Sequence, residues 1–271
     1  MKQRVITAVI ALIIFIPILL IGGPLLDFAA WVLALVALSE TFIMRKKIIV
    51  SFDAVIAALA VTDLVLPRTF FGWLPSNLDQ GDIFYILVMV MLAFTVVTHN
   101  KVSFEDISIT MMFSLYIGVG FHYLAAARNS LNGGGITTIF YILLVIWATD
   151  IGAYMIGRKI GKHKLYPAVS PNKTWEGSIG GILCAVIVAM IYLAIFPNAV
   201  PSQYNLITMF ILTIIFSICG EIGDLVESAY KRFYGVKDSG NILPGHGGIL
   251  DRFDSLLFVL PLLHIFGILP L

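Results

Sequence analysis

Charge is what this chain has least of. Only 12% of its 271 residues are Asp, Glu, Lys or Arg, while 59% are hydrophobic. A soluble domain carries about a quarter charged residues. A single aqueous core is therefore excluded, and the solvent for most of this surface must be lipid. Cysteine is nearly missing too. Cys184 and Cys219 each sit inside an apolar run, with no CxxC and no Cys/His cluster. That leaves no basis for a disulfide framework or a zinc site. No period-two alternation of the barrel type is present, and no internal repeat. After the first apolar run, which follows Lys2 and Arg4, no small-x-small cleavage site comes before the next hydrophobic segment. This run is expected to stay as a membrane helix rather than be removed as a signal peptide.

What is there is a series of greasy runs. They fall at about 5–22, 25–44, 48–66, 83–98, 108–126, 136–157, 177–196, 205–222 and 254–269, and a helix crosses a bilayer in about 20 residues. The separators carry turn chemistry: Gly22-Gly-Pro24, Arg45-Lys-Lys47, Pro67-Arg68, Asn129 to Gly135, and Pro197 to Pro201. The expectation is an all-α, polytopic integral membrane protein with about nine transmembrane helices. Lys and Arg orient it. With the N-terminus cytoplasmic, all but two of the 17 fall on the cytoplasmic side; Arg68 and Arg128 are the exceptions. Losing one span would invert everything after it, so this asymmetry supports the count. Residues 1–130 (spans 1–5) read as scaffold or oligomer contact. Residues 131–271 (spans 6–9) read as a catalytic region whose working face is two cytoplasmic loops, 158–176 and 233–253.

Polar chemistry concentrates in that second half. At the end of the eighth run, Glu221, Asp224, Ser228, Lys231 and Arg232 fall within about 100° of arc on a helix, with acids deep and bases outward. Carboxylates within a span face a polar interior or cavity. This stripe could ligate Mg²⁺ and hold phosphate, or it could be an internal salt-bridge ladder. In Pro244-Gly-His-Gly-Gly-Ile-Leu-Asp-Arg-Phe-Asp254, the Gly247-Gly248 pair lets backbone approach an anion. Asp251 and Asp254 are spaced i, i+3 beside Arg252, which suits a hard divalent cation. His246 is either a hydrogen-bonded loop residue or a ligand contact. In Ser170-Pro-Asn-Lys173, Ser followed by Pro signals a helix start, which would put Asn172 and Lys173 in a first turn suited to anions. The Ser170-x-x-Lys173 spacing has no companion motif of serine acyl enzymes, and Gly157 to Lys162 is not a phosphate-binding P-loop. Asp150, mid-span, is a functional candidate by default; a structural hydrogen bond is its alternative.

These residues carry a resemblance. The run from Ser228 to Asp254, with Lys231-Arg232, Lys237-Asp238, His246-Gly-Gly248 and Asp251-Arg252-x-Asp254, resembles the signature of the phosphatidate cytidylyltransferases, or CDP-diacylglycerol synthases. Ser170 to Glu176 and the intramembrane Asp150 are similar to that family as well. Tyr230 departs from it, standing where an aliphatic residue or Phe is commoner. The resemblance covers about residues 147–254. It implies that CTP and phosphatidate become CDP-diacylglycerol and pyrophosphate with Mg²⁺, a second, monovalent cation being a further candidate. The nucleophile is a phosphate monoester whose second pKa is about 6, so no strong general base is needed. Bringing two polyanions together is a matter of charge and positioning.

On this reading Asp224 and Asp251 ligate Mg²⁺, with Asp254 or Glu221 nearby. Lys173, Asn172 and Ser170 serve the nucleotide; Lys231, Arg232 and Arg252 serve the lipid phosphate. His246, Gly247 and Gly248 shape a phosphate loop, and Asp150 lines the cavity. The expected partners are CTP, phosphatidate, the bilayer and a second copy of the chain, with no nucleic acid. The expected place is the cell (inner) membrane, with the active face cytoplasmic. The alternatives are another membrane lipid-phosphate transferase, whose D-x-x-D-G-x-x-A-R pattern is absent from the sequence, and an ion-coupled transporter using Asp150, Glu221 and Asp224.

Overall fold

The computed structural model describes residues 2–129 and 135–269. The expected boundary at 130/131, the separator between Asn129 and Gly135 and the terminal Pro270-Leu271 lie outside the described residues, as do the side chains of Lys2 and Arg4. Among the described residues the chain forms nine α-helices. They are α1 Lys2–Ile21, α2 Gly23–Met44, α3 Phe52–Val65, α4 Gln80–Val97, α5 Phe104–Asn129, α6 Gly135–Ile160, α7 Trp175–Ile195, α8 Leu206–Phe233 and α9 Leu250–Ile265. One antiparallel hairpin, β1 Lys164–Tyr166 with β2 Ser170–Thr174, interrupts them.

The class is an all-α polytopic membrane protein. Six helices (α2, α4, α5, α6, α7 and α8) are long and apolar enough to cross a membrane, and α1 adds a shorter apolar stretch, Val9–Ile21. α3 has 14 residues and α9 has 16. They reach roughly 21 and 24 Å against about 30 Å of hydrocarbon, so length alone does not carry the nine-span count.

Local chemistry sets the boundaries. Gly22 and Gly23 at φ +67° and +60° break α1 from α2, and Pro24 then opens α2 where its missing N–H is no loss. Asp79 and Asp82 form a reciprocal capping box at the start of α4. Asn205 accepts from Thr208 N at 2.8 Å at the start of α8. Large apolar side chains such as Val96, Val97, Ile187, Ile191 and Ile207 are exposed. Lipid tails satisfy such faces where water would not.

Packing divides the chain into two compact units, Met1–Ala125 with Ser239–Leu250 and Ala126–Asp238 with Asp251–Leu271. The loop at 233–253, read from sequence as wholly C-terminal, thus gives residues 239–250 to the first unit. In that unit Ile56, Ala60, Met91, Ile107 and Met111 form an apolar core from α3, α4 and α5. Arg45, at the end of α2, donates to Asp106 Oδ1 at 3.0 Å and to Thr110 Oγ1 at 2.7 Å on α5, and Lys47 reaches the same carboxylate at 2.6 Å.

In the second unit α6 and α7 come together through small residues. A Cβ on Gly177 would lie 2.8 Å from Ala153 O and 3.1 Å from Gly157 Cα. Without glycine at 177 the two backbones could not approach this closely. α6 also binds α8 through hydroxyls, Tyr141 to Thr213 and Thr149 to Ser217, both at 2.7 Å.

Candidate active site

The segment before α7 departs from its sequence reading. Ser170-Pro171 does not start a helix. Ser170–Thr174 is strand β2, with Lys164 opposite Thr174 and Tyr166 opposite Ser170. The helix begins at Trp175, and its N-cap is Thr174, whose hydroxyl accepts from Gly177 N at 3.1 Å. Thr, Glu and Gly downstream compete with the Ser-Pro signal and win because Glu176 also closes the hairpin. Its carboxylate accepts from Lys162 N at 3.1 Å and His163 N at 3.2 Å, and pairs with His163 Nδ1 at 2.6 Å. Lys173 therefore projects from a strand, not from a first helical turn.

A cavity of about 540 Å³ lies in the second unit, lined by residues of α6, the hairpin, α7 and α8. Ligand pockets commonly span about 300–1,000 Å³. Five expected site residues line it: Asp150, Asn172, Lys173, Glu221 and Asp224. Lys173 Nζ pairs with Asp224 Oδ2 at 2.7 Å and donates to Glu221 O at 3.4 Å. Glu221 accepts from Ser178 Oγ through Oε2, and its Oε1 is buried without a hydrogen-bond partner among the described residues. Asp150 lines the cavity and lies within electrostatic range of Asp224, Asp254, Glu221 and Lys173. Arg158, Lys164 and Ser178 also line the cavity. Sequence reading counted Arg158 and Lys164 only as orienting charge and gave Ser178 no role. The signal for the two bases was their place in the 158–176 loop; Ser178 had none.

A second cluster is closed. Lys231 Nζ lies 2.9 Å from Glu227 Oε2 and 2.5 Å from Asp251 Oδ1. Asp254 hydrogen-bonds to Glu227 and accepts from Ser255 N at 2.7 Å. The helical arc drawn from sequence put Lys231 with Glu221 and Asp224. The side chain turns instead to Glu227, an acid that reading left out, and to α9. Close contact of α8 with α9 makes this possible: a Cβ on Gly223 would meet Asp254 O at 2.8 Å. Arg232 donates to Val169 O at 3.3 Å, holding the hairpin turn. Arg252 is exposed, and Ser170 does not line the cavity.

His246, Gly247 and Gly248 lie in the loop that packs within the first unit. His246 N donates to Leu243 O at 2.8 Å and Leu243 N to Gly247 O at 3.0 Å. The His246 Nδ1 is buried without a hydrogen-bond partner among the described residues.

Hard oxygen donors are what Mg²⁺ takes. Glu221, with its unpartnered Oε1, and Asp224 offer them at the cavity wall. No group of three or more His, Cys, Asp or Glu among the described residues is arranged to hold a metal alone. Mg²⁺ usually needs only one or two carboxylates, the rest of its shell coming from water and substrate phosphates. The residues therefore fit the ion.

A family model described as the cytidylyltransferase family matches residues 2–269. Curated relatives run the same length. The chain is 47% identical over 265 residues to a phosphatidate cytidylyltransferase of Staphylococcus haemolyticus, covering 98% of each chain. It is 46% identical over 265 residues to that of Staphylococcus saprophyticus and 45% identical over 267 to that of Staphylococcus aureus, again with 98% of each chain covered.

Proposed function

The chain belongs to the cytidylyltransferase family, and on that premise we propose that it joins CTP to phosphatidate, yielding CDP-diacylglycerol and pyrophosphate in phospholipid synthesis. The observation that carries this reading is the cavity where Lys173, Lys164 and Arg158 stand against Asp150, Glu221 and Asp224. An oxygen of the phosphatidate phosphate attacks the α-phosphorus of CTP. The bond from that phosphorus to the bridging oxygen breaks, and pyrophosphate leaves with the electron pair.

Both substrates are anions, so the residues' work is to neutralise and align them. Lys173, Lys164 and Arg158 bind phosphate oxygens, and Asn172 orients them. Arg232 and Arg252 raise the positive potential at the end of α8 and the start of α9, the side from which the lipid phosphate comes, while Lys231 is taken up by Glu227 and Asp251 and ties α8 to α9. Glu221 and Asp224, with Asp254 behind them, would hold Mg²⁺. When bound, the ion supplies charge neutralisation at the phosphates and leaving group.

The Lys and Arg asymmetry between alternate loops supports a cytoplasmic active face in the cell membrane, where CTP is available. The exposed apolar faces of α4 and α7 suit the bilayer, or a homodimer contact. The test is purified protein in detergent with labelled CTP, phosphatidate and Mg²⁺. CDP-diacylglycerol and pyrophosphate should form, and EDTA should stop them. Product without added lipid phosphate, or no product at all, would overturn the reading.

A further inference from the structure

This inference rests on the transfer reaction proposed above and adds a residue to it. Glu40 lies in α2 and is completely buried. A carboxylate inside an apolar helix needs donors, and this one finds them far along the chain. Its Oε1 accepts from Ile249 N at 2.7 Å; its Oε2 accepts from Leu250 N and from Ser239 Oγ, both at 2.9 Å. Leu250 is the first residue of α9. The N–H groups at a helix start have no partner within the helix and carry partial positive charge. Glu40 thus caps α9 as an N-cap side chain would, from 209 and 210 residues away in sequence.

Two glycines fit around the carboxylate. A Cβ on Gly240 would come within 2.9 Å of Glu40 Oε1, and one on Gly248 would overlap both Ser239 Oγ and the Glu40 carboxylate. Gly245 and Gly247, at φ +78° and +85°, let the chain turn between them. The glycine loop read from sequence as a cradle for an external phosphate is therefore shaped around an internal anion.

We infer that Glu40 is a positioning residue for the transfer. It holds the amides of Ile249 and Leu250, orders residues 239–250, and so sets the register in which the first turn of α9 carries Asp251 and Asp254. It touches no substrate. An amide in its place would keep the shape but turn donors toward donors.

The experiment uses the full chain in detergent, comparing wild type with Glu40→Gln, Ser239→Ala and Gly248→Ala. Hydrogen exchange at the amides of Ile249 and Leu250 is read beside steady-state kinetics and thermal unfolding. Glu40→Gln should speed exchange there about tenfold and lower kcat about tenfold or more, with both KM values within about threefold. Ser239→Ala removes one of the three donors and should cost about two- to threefold in kcat. Gly248→Ala should match Glu40→Gln when made alone, but cost less on top of Glu40→Ala combined with Ser239→Ala, which together vacate the space its methyl needs.

Wild-type kcat in Glu40→Gln, or unchanged exchange at the two amides, overturns the inference. So does lost activity that tracks only lost folded protein. Failure of the wild type to make CDP-diacylglycerol would sink the transfer reading, and the exchange measurement would still decide the clamp.

Discussion

Lys173 meets Asp224 with 25% and 34% of the two side chains still accessible, whereas Lys231 meets Asp251 with 10% and 4% left. Both lysines pair with aspartates within the second unit. Sequence reading put Asp224 and Lys231 on one stripe and gave Lys173 and Asp251 to two other motifs. The surroundings of the two pairs give them different work. The first pair sits on the wall of the cavity, where a ligand phosphate can compete for the lysine and a cation for the acid. The second is closed by Glu227 and Asp254. There, Glu227 and Asp251 share one ammonium that is nearly out of reach of solvent, and Asp254 stands beside them on the side toward Asp224. An accessible ion pair contributes little to stability and can be opened cheaply. A buried one contributes little net stability while intact, yet removing one member leaves an uncompensated charge.

The sharpest way to break this comparison is Lys231→Met. It leaves Glu227, Asp251 and Asp254 facing one another without a cation, and stability should fall by about 3–5 kcal/mol. Denaturant or thermal unfolding in detergent reads this directly. Combining Lys231→Met with Glu227→Gln and Asp251→Asn should recover most of the loss. A single variant as stable as wild type would mean the cluster is wetter than its burial implies.

Next in size is Asp224→Asn in the open pair. Turnover should fall by about 10²–10³, while the unfolding midpoint stays within about 1 kcal/mol of wild type. Stopped assays with labelled CTP measure the first, and unfolding curves the second. Near-normal turnover would remove Asp224 from the metal site. If Asp251→Asn lost as much turnover as Asp224→Asn without losing stability, the two clusters would have to be read as one site.

The contrast also explains what the sequence made legible. Apolar runs near bilayer length, separated by Gly, Pro and Lys/Arg, mark helices because lipid leaves the backbone few other choices. The arc of Glu221, Asp224 and Ser228 on α8 was legible because helical periodicity alone decides it; Ser228 donates to Asp224 at 3.3 Å as that spacing requires. Lys231 was misplaced because a long side chain near the edge of an arc can turn either way, and its choice depends on α9. Glu40 was invisible because its donors are some 200 residues away. The hairpin was missed because Ser-Pro is a valid helix-start signal; what overrides it is the closure of Glu176 on His163, a contact between residues 13 apart.

The smallest of the expected effects tests where the open region ends and its scaffold begins. Thr174 lines the cavity beside Lys173, so its hydroxyl could serve either the ligand or the fold. Its contacts favour the fold. The hydroxyl accepts from Gly177 N as the N-cap of α7, and it sits where a Cβ on Gly157 would come within 2.9 Å. Thr174→Ala should therefore lower stability by about 1 kcal/mol, the usual worth of a cap. Thr174→Ser, which keeps the oxygen, should restore most of it. Turnover should drop only about threefold, because Lys173 is held by Asp224 and by the Glu221 carbonyl rather than by its neighbour's hydroxyl. A loss of turnover in Thr174→Ala on the scale of Asp224→Asn, with the unfolding midpoint unchanged, would move this hydroxyl from the scaffold to the substrate. The cavity's working surface would then extend from the strand into the first turn of α7.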